Sequence, residues 1–325
     1  MELPIRPRRN RKSAGVRSLV RETLLSPGDF VLPLFLHDLE VDKAIESMPG
    51  CTRWSLASLV KEAGEALALG IPSVVLFPAI DESLKTQGAE ESYHPDGLVP
   101  RAVRALKEAY PELVVMTDIA LDPYNLDGHD GLLKAGQIVN DETIEVLCRQ
   151  AVAQAAAGAD IVAPSDMMDG RVAAIRDALD TAEFEMVSIC SYTAKYASAF
   201  YGPFRGALGS APKAGDKKTY QLDPANRREA LRELFLDEQE GADMVMVKPA
   251  GPYLDIISDL AEQASVPVAA YQVSGEYLMI KSAAKDGWIN EEAAIMESLI
   301  GIKRAGADLI LTYFAKDAAR ILRKQ

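Results

Sequence analysis

Three copies of one short pattern constrain the fold of this chain more than any other feature of its sequence. They read AGADIV at residues 157–162, EGADMV at 240–245 and AGADLI at 305–310, and LGIPSVV at 69–75 is a looser copy. In each, a glycine that ends a helix is followed at once by residues that begin an apolar strand. A chain that repeats this junction is built from one repeated β/α unit.

Eight short apolar runs, separated by segments with helical spacing, extend this unit over the whole chain. The runs that we predict as strands are residues 30–37, 73–80, 113–121, 160–166, 185–193, 244–248, 266–275 and 308–315. Short apolar runs without polar alternation are typical of a parallel sheet that is covered on both faces. Eight units predict an α/β protein with a (β/α)8 TIM barrel. The alternative is a doubly wound open sheet, but no G-x-G-x-x-G motif follows the first run.

We divide the chain into an extended N-terminal arm, residues 1–28, and a barrel, residues 29–325. The arm contains the basic run IRPRRNRKSAGVR and precedes the first predicted strand. The barrel contains one long irregular segment, residues 201–223, which is rich in Gly, Pro and Lys. Because this segment follows the fifth run, we predict that it forms a lid over the carboxyl ends of the strands.

The composition excludes several classes of function. The formal net charge of −13 argues against nucleic-acid binding, so the basic arm is better matched to an acidic neighbouring subunit. No apolar segment is long enough to cross a membrane, and the N-terminus lacks the apolar run of a signal peptide. Cys51, Cys148 and Cys190 are far apart and form no CxxC pair, which argues against a zinc-cysteine site. We therefore predict a cytoplasmic protein with no membrane or nucleic-acid partner.

A lysine ends the sixth predicted strand, in the sequence MVMVKPAGPYLDII. Pro249 follows Lys248 directly and favours an extended conformation for the lysine. Burial disfavours an ammonium group and lowers its pKa, which leaves an amine that can attack a carbonyl. A lysine at a strand end can instead extend to water or pair with a carboxylate. This stretch alone leaves both interpretations open.

Polar side chains collect where the predicted strands end. They are Asp118, Ser165, Asp166, Tyr192, Lys195, Lys248, Ser274 and Tyr313. In a β/α barrel these ends lie on the face that carries the active site. One or two such residues are expected wherever a strand meets solvent. Two lysines on adjacent strand ends fit that explanation poorly, because neighbouring ammonium groups lower each other's pKa and so favour imine chemistry.

The predicted lid carries four basic residues among its glycines: Arg205, Lys213, Lys217 and Lys218. A flexible basic lid over an active site binds a carboxylate or phosphate and excludes water. The alternative for this segment is a disordered surface loop.

Long motifs in this chain resemble those of the porphobilinogen synthase family, also called delta-aminolevulinic acid dehydratase. In chain order they are RPRRNR, TDIALDPY, APSDMMDGR, SYTAKYASAFYGPFR, KKTYQLDPANRREALRE, MVMVKPAGPYLDI, YQVSGEY and LTYFA. They cover nearly the whole chain, and MVMVKPAGPYLDI is similar to the Schiff-base signature of the family. The resemblance implies an enzyme of heme biosynthesis that condenses two 5-aminolevulinate molecules into porphobilinogen with loss of two waters.

The resemblance also implies a role for each residue of the site. Lys248 forms the imine with the substrate that becomes the propionate side, and Lys195 forms a second imine or holds the other substrate. Asp118 and Ser165 contact the amine and the reacting carbons of that other substrate. Ser274 and Tyr313 bind the carboxylate of the first substrate, Arg205 and Lys217 on the lid bind that of the second, and Gln221 is a further lid contact. Tyr192 and Tyr271 are also assigned to substrate binding.

The chain departs from part of the family where many members carry three zinc-binding cysteines. The segment DIALDPYNLDGHDG places Ala120, Asp122 and Asp130 at those positions. Thiolates suit zinc, whereas carboxylates suit magnesium or no metal, so the chain resembles the aspartate-rich, zinc-independent branch. Asp122, Asp127 and Asp130 are equally well explained as solvated loop carboxylates and as metal ligands.

Two further expectations depend on the resemblance. Glu233 matches the family position that binds an allosteric Mg²⁺ through water between subunits, although without the family it is an ordinary carboxylate on a helix face. The family also implies a homo-octamer in which the N-terminal arm wraps a neighbouring barrel.

Two other functions are kept open at this point. One is a different lysine-dependent barrel enzyme, such as a Schiff-base aldolase, against which the second lysine and the basic lid argue. The other is a barrel that binds a carboxylated ligand without turnover, against which the paired lysines with Ser274 and Tyr313 argue.

Overall fold

The structure is a computed structural model that describes residues 3–324. Residues 1 and 2 of the predicted arm, and residue 325 at the end of the predicted barrel, lie outside the described residues. In the described part, eight parallel strands form the barrel: β1 Phe30–Leu36, β2 Ser73–Pro78, β3 Val114–Ile119, β4 Ile161–Pro164, β5 Ser188–Lys195, β6 Met244–Lys248, β7 Val268–Gln272 and β8 Leu309–Thr312. Each strand pairs with the next, and β8 pairs with β1 through Phe30–Ile310 and Val31–Leu311. The closed sheet confirms the predicted TIM barrel and excludes the open-sheet alternative.

One helix precedes the first strand, and the others follow strands along the chain. They are α1 Ala14–Leu19, α2 Leu56–Ala68, α3 Leu98–Ala109, α4 Asn140–Ala156, α5 Arg171–Thr181, α6 Gly202–Leu208, α7 Arg228–Gln239, α8 Leu254–Gln263, α9 Ser274–Lys285, α10 Glu291–Ala305 and α11 Ala315–Arg323. Between α9 and α10 the chain turns at Gly287, which has a φ of +75°. Two short antiparallel pairs lie outside the barrel: Lys43–Ala44 with Thr52–Trp54, and Leu132–Lys134 with Gln137–Val139.

The repeated helix-to-strand junction has the conformation that its glycines predict. Gly70, Gly158, Gly241 and Gly306 have φ values of +85°, +104°, +99° and +117°. These lie in the left-handed region, which glycine adopts without the steric cost that a Cβ atom imposes. The junction therefore turns each helix back onto the sheet at nearly the same point of every repeat.

The strands are buried on both faces, as expected for a parallel sheet under helices. Every residue of β1, β2 and β7 is buried. Large side chains fill the interior of the barrel, among them Phe35, Phe77, Met116, Tyr192, Met246 and Tyr271. A second apolar cluster packs the outer face of the strands against the helices. The filled interior leaves the strand ends as the place for a site.

Three sequence-based boundaries were wrong. Residues 184–187 form a turn, so β5 begins at Ser188 and includes Lys195, which was placed beyond the strand. The lid segment 201–223 was predicted as irregular, but its first part forms the helix α6. Ser274 is the first residue of α9 and not the end of the seventh strand.

The described part of the arm, residues 3–28, precedes the barrel and is largely exposed. Its 3-10 turn Pro7–Arg11 and α1 contain no buried residue. Leu19 is 87% exposed and Ile5 is 81% exposed, which is unusual for large apolar side chains. None of the helices described between residues 3 and 324 combines the length and the apolar character needed to span a membrane.

Candidate active site

Two lysines lie side by side at the carboxyl ends of β5 and β6. Lys195 and Lys248 are register partners in the parallel pairing of these strands, one position after Ala194 and Val247. Both side chains are buried. The structure therefore brings together the two lysines that the sequence places on adjacent strand ends, on the face where β/α barrels carry their active sites.

Aromatic rings surround the Lys248 amine. Nζ lies 4.5 Å from the ring centroid of Tyr271, 5.0 Å from Tyr192, 5.2 Å from Phe204 and 5.3 Å from Tyr201. We call these four rings the aromatic cage. Ring faces attract a cation weakly, but they supply none of the hydrogen-bond acceptors that water offers to an ammonium group.

This environment sets the protonation state of Lys248. Burial, reinforced by the nearby charge of Lys195, lowers the pKa of Lys248 to about 7. Among residues 3–324, the ion pairs of this region go to Lys195 and Lys217, and none goes to Lys248. A large fraction of Lys248 is therefore the neutral amine near pH 7, which is the nucleophilic form.

Lys195 has a polar environment instead. Its Nζ donates to Asp130 Oδ2 at 3.0 Å and to the backbone carbonyl of Ser165. The other oxygen of Asp130 accepts from Lys217 Nζ at 2.6 Å, and Lys217 also lies 3.5 Å from Asp122. Burial acts to raise the pKa of Asp130, but Lys195 and Lys217 outweigh it and hold that pKa well below its usual range. Asp130 is thus a fixed negative charge between two ammonium groups.

The interpretation of Asp122 and Asp130 as solvated loop carboxylates was wrong. Asp122 is 7% exposed and Asp130 is 1% exposed, and both face lysines. Asp127 is only partly buried, and its backbone carbonyl accepts a hydrogen bond from the Lys213 amide. Within residues 3–324, no group of three or more His, Cys, Asp or Glu side chains has an arrangement that would hold a metal ion.

Asp118 lies at the end of β3 and lines the cavity together with both lysines. Its Oδ1 is buried and has no hydrogen-bond partner among the described residues. Burial raises the pKa of Asp118 to about 7, against the opposing charges of Lys195 and Lys248. Ser165, just beyond β4, lines the same cavity. A carboxyl group that exchanges a proton near neutral pH suits general acid–base catalysis.

The residues predicted to bind the first substrate lie around the aromatic cage. The hydroxyl groups of Tyr271 and Tyr313 form a hydrogen bond of 2.9 Å. The Ser274 hydroxyl donates to the Phe200 carbonyl and accepts from the Phe204 amide, at 3.3 and 3.1 Å. Ser274 and Tyr313 do not line the cavity between the lysines in this conformation; their hydroxyl groups contact Phe204 and Tyr271, two residues of the cage.

Tyr192 lies inside the barrel below both lysines. Its hydroxyl is buried without a hydrogen-bond partner among residues 3–324, and burial raises its pKa well above the ordinary value. The hydroxyl is therefore a neutral group with an unused donor at the floor of the site.

The lid covers the cavity. Arg205, Lys217 and Gln221 line it together with the two lysines. Gln221 Nε2 donates weakly to Asp130 at 3.4 Å, while its Oε1 is buried without a partner among the described residues. The other predicted lid cations, Lys213 and Lys218, are exposed and do not line the cavity. Only about 30 Å³ is left for water, so the lid segment is closed over the cavity in this conformation.

Sequence reasoning missed two lid aromatics. Tyr201 and Phe204 both line the cavity and complete the cage around Lys248. The available signal was three aromatic residues within SAFYGPFR, residues 198–205, where the segment rich in Gly, Pro and Lys begins. Aromatic residues in such a segment need an apolar partner, and Phe204 finds one in the rings of Phe35 and Phe77.

Glu233 is separate from this cavity. It lies on α7 and lines a surface pocket with Asn140, Asp169, Asn226 and Glu229. Burial raises the pKa of Glu233 to about 7, against the charge of Arg171.

Comparison with known proteins decides the family. The family model described as delta-aminolevulinic acid dehydratase matches residues 4–321. The chain belongs to the delta-aminolevulinic acid dehydratase family. A chloroplastic dehydratase of Selaginella martensii is 59% identical over 99% of this chain and 78% of its own length. Dehydratase 1 of Arabidopsis thaliana, also chloroplastic, is 57% identical over 99% of this chain and 75% of its own length.

A solved structure agrees with this assignment. The delta-aminolevulinic acid dehydratase (porphobilinogen synthase) of Toxoplasma gondii, in complex with the reaction product porphobilinogen, has a TM-score of 0.98 and 53% identity. The match covers 100% of this chain and 94% of that one. The chain is therefore a lyase of the dehydratase family with that family's barrel, and the aldolase and the non-catalytic barrel are no longer needed as alternatives.

The same comparisons correct the predicted location. The sequence predicts a cytoplasmic protein, but the Selaginella and Arabidopsis dehydratases are both named chloroplastic. The cytoplasmic prediction is contradicted by these names. It rested on the lack of a signal peptide, which says nothing about organelles that use other targeting segments.

Proposed function

We propose that this dehydratase condenses two 5-aminolevulinate molecules into porphobilinogen through imines at Lys248 and Lys195. The observation that carries the proposal is the contrast between the two adjacent amines. Lys248 is caged by rings and has a pKa near 7, while Lys195 is paired with Asp130. An asymmetric condensation of two identical molecules needs two unlike positions, and these neighbours supply them.

Lys248 acts first on the ketone of one substrate. Its neutral amine adds to the carbonyl carbon, and loss of water from the adduct then requires a proton on the departing oxygen. Asp118, with a pKa near 7, is suited to exchange that proton at neutral pH. The closed aromatic cage excludes bulk water, which would hydrolyse the imine.

The second substrate lies on the side of Lys195. Its carboxylate meets Arg205 and Lys217, and its amine and reacting carbons lie near Asp118 and Ser165. Lys195 shares Asp130 with Lys217, so its ammonium either holds this substrate or gives up a proton before it forms an imine. Arg205 supplies the fork geometry that a carboxylate binds best.

Two carboxylates must be bound, and the site offers two places for them. Ser274 and Tyr313, whose hydroxyl groups contact Phe204 and Tyr271 of the cage, receive the carboxylate of the Lys248 substrate once the cage opens. The lid cations receive the other. Tyr192 and Gln221 each bring a buried polar atom that is unpartnered in the described structure and available to substrate.

Borohydride trapping tests the proposal. The protein is incubated with 5-aminolevulinate, reduced, digested and mapped by mass spectrometry, with EDTA and Mg²⁺ samples in parallel. We expect an adduct on Lys248 and porphobilinogen formation before reduction. Turnover that survives EDTA at least in part supports the zinc-independent branch. The absence of an adduct on both Lys248 and Lys195 would overturn the imine mechanism.

We also propose that Mg²⁺ binds through water at Glu233 and stimulates the enzyme. The surface pocket supplies oxygen donors of the kind that Mg²⁺ prefers, and a cation there would stabilise a carboxylate whose pKa burial has raised to about 7. Glu233→Ala should keep basal turnover but lose calorimetric Mg²⁺ binding and Mg²⁺ stimulation. The control is Glu262→Ala, an exposed carboxylate on α8. An unchanged Mg²⁺ response in Glu233→Ala contradicts the assignment.

The N-terminal arm supports a further proposal, that the protein is a homo-octamer in which each arm wraps a neighbouring barrel. Leu19 and Leu24 are 87% and 68% exposed, and solvent-exposed leucines on a short arm favour contact with another surface. Changing both to serine should reduce the mass measured by light scattering. Met186→Ser, at a barrel residue that is 93% exposed, is the matched control. An octamer that persists in the double variant contradicts this role of the arm.

A further inference from the structure

A short hairpin outside the barrel holds the lid helix. The hairpin consists of residues 43–54, in which Lys43–Ala44 pairs with Thr52–Trp54, and the second of these strands also pairs with β1. Arg53 donates Nε–H to the carbonyl of Ala207 and an Nη2 hydrogen to that of Gly206, the latter at 2.7 Å. Both carbonyls belong to the last turn of α6, the helix at the start of the lid segment.

The last carbonyls of a helix need partners from outside the helix. They have no partner further along the helix, and the partial negative charge of the helix end is concentrated on them. Gly209, with φ +63°, ends α6 in the left-handed conformation and returns its amide to the Arg205 carbonyl. The guanidinium of Arg53 donates hydrogen bonds to two of the remaining carbonyls. Its planar group presents two N–H donors side by side, a geometry that a single ammonium group lacks.

Further contacts fix the same helix at both ends. The Ser47 hydroxyl donates to the Pro203 carbonyl at 2.8 Å. A Cβ atom on Gly206 would lie 2.9 Å from Ser47 Oγ, so the helix and the hairpin approach closely. On the far side of the last turn, Lys85 donates to the Gly209 carbonyl at 3.2 Å. Arg53 and Ser47 thus hold α6 from one element that carries no residue of the cavity between the lysines.

The held helix carries the part of the lid that faces substrate. Phe204 completes the aromatic cage and Arg205 lines the cavity. We propose that Arg53, assisted by Ser47, is a positioning residue for catalysis that keeps α6 in the closed position. It touches neither lysine of the site and acts through the backbone of the lid. The proposal rests on the proposed function, because a closed lid affects turnover only if substrate binds beneath it.

The test separates lid position from chemistry. In Arg53→Met the side chain keeps its length and loses its donors. We expect faster amide hydrogen exchange in residues 202–210 of the substrate-free protein, while the barrel strands keep wild-type exchange. We also expect KM for 5-aminolevulinate to rise about tenfold with kcat within about twofold, because substrate restores closure at saturation. Arg104→Met, which removes an exposed arginine paired with Asp96, should change neither quantity.

Conservative variants complete the design. Arg53→Lys should lie between wild type and Arg53→Met, because one ammonium replaces part of the two-point contact. Ser47→Ala should shift exchange and KM in the same direction by a smaller factor, and it gives the test if Arg53→Met does not fold. Unchanged lid exchange in these variants, or a fall in kcat at constant KM, overturns the proposal. Borohydride trapping tests the imine mechanism separately. Normal trapping at Lys248 in a variant with fast amide exchange in the lid supports the imine mechanism. Loss of trapping in the wild-type protein contradicts that mechanism but does not change the amide-exchange result.

Discussion

Lys248 and Lys195 occupy equivalent positions on neighbouring strands and have opposite surroundings. Lys248 ends in a cage of four rings, while Lys195 ends against Asp130 and the Ser165 carbonyl. Identical side chains in paired register therefore have different chemistry. The strands and the loops both contribute to the difference. Tyr192 and Tyr271 of the cage belong to the strands, whereas Phe204 and Tyr201 belong to the lid and Asp130 to the segment after β3. The barrel sets where the amines lie, and the loops complete the surroundings of each.

The two environments also depend on each other. The charge that Asp130 stabilises on Lys195 is one of the causes that lower the pKa of Lys248. Lys217 and Asp122 extend the charged side further, so that cationic lid residues and buried carboxylates alternate. A neutral nucleophile next to a lysine that is paired with a carboxylate is thus a property of the two residues together, and experiments that alter one lysine should also measure the other.

The largest effect is expected from a substitution of Lys248, the neutral lysine of the pair. Lys248→Arg places another long basic side chain in the cage but replaces the amine with a guanidinium that stays protonated. We expect turnover to be abolished, with the adduct at residue 248 lost from borohydride mapping. Lys303→Met, a partly buried lysine paired with Asp29 beside β8, serves as control and should retain activity. Wild-type turnover in Lys248→Arg would contradict the proposal that Lys248 is the neutral nucleophile of the pair.

The next largest effect is expected from the charged side. Asp130→Asn leaves the ammonium groups of Lys195 and Lys217 buried without their shared carboxylate. Removing one partner of a buried ion pair costs about 3–5 kcal/mol of folding free energy, so urea denaturation should shift to lower concentration. Asp127→Asn, in the same loop, keeps the backbone carbonyl that contacts the lid and should be close to neutral. Equal stability of both variants would show that Asp130 is not the fixed charge of the site.

A smaller effect is expected in the pH dependence of trapping. Imine formation at Lys248 requires the neutral amine, so adduct yield should rise as pH rises through about 7. Lys195→Met removes the neighbouring cation, and the pKa of Lys248 should then increase and the midpoint move to higher pH. Mass spectrometry of the adduct across pH measures this without any need for turnover. A midpoint that stays fixed in Lys195→Met would show that burial alone sets the pKa of Lys248.

The same pKa has a consequence for stability. The folded pKa of Lys248 lies near 7, below the value of an unfolded lysine. Between these two values the unfolded chain binds more protons, so the contribution of Lys248 to stability becomes more favourable as pH rises from about 7. Comparing wild type with Lys248→Met by urea denaturation at several pH values isolates this contribution. A difference that falls with rising pH contradicts the assignment.

Much of this architecture is predictable because it repeats. Glycine at each helix end and short apolar runs recur through the chain, and local rules of backbone conformation suffice to interpret them. Lys195 and Lys248 are predictable as neighbours for the same reason, since consecutive strands of a barrel pair. Their roles in catalysis stay predictions that trapping and mutation must test.

The parts that escaped prediction depend on contacts between distant segments. The burial of Asp130 depends on Lys195 and Lys217, which lie far along the chain, so a polar loop sequence resembles a solvated one. Tyr201 and Phe204 join the cage only when the lid folds over the barrel. The helix α6 escaped because a run of Gly and Pro is typical of a loop, although Pro203 suits a first turn and Gly209 a helix end.

Closure of the barrel places a demand on folding. The first strand pairs with the last, through Phe30 and Ile310, so the sheet has two open edges until the end of the chain has been made. Open parallel edges invite association with other chains, and pairing between remote segments is slow. During synthesis, the strands that carry both lysines are completed before the edge that seals them. A nascent chain of this protein is therefore most exposed to aggregation late in its production, when most of the sheet exists but the ring is still open.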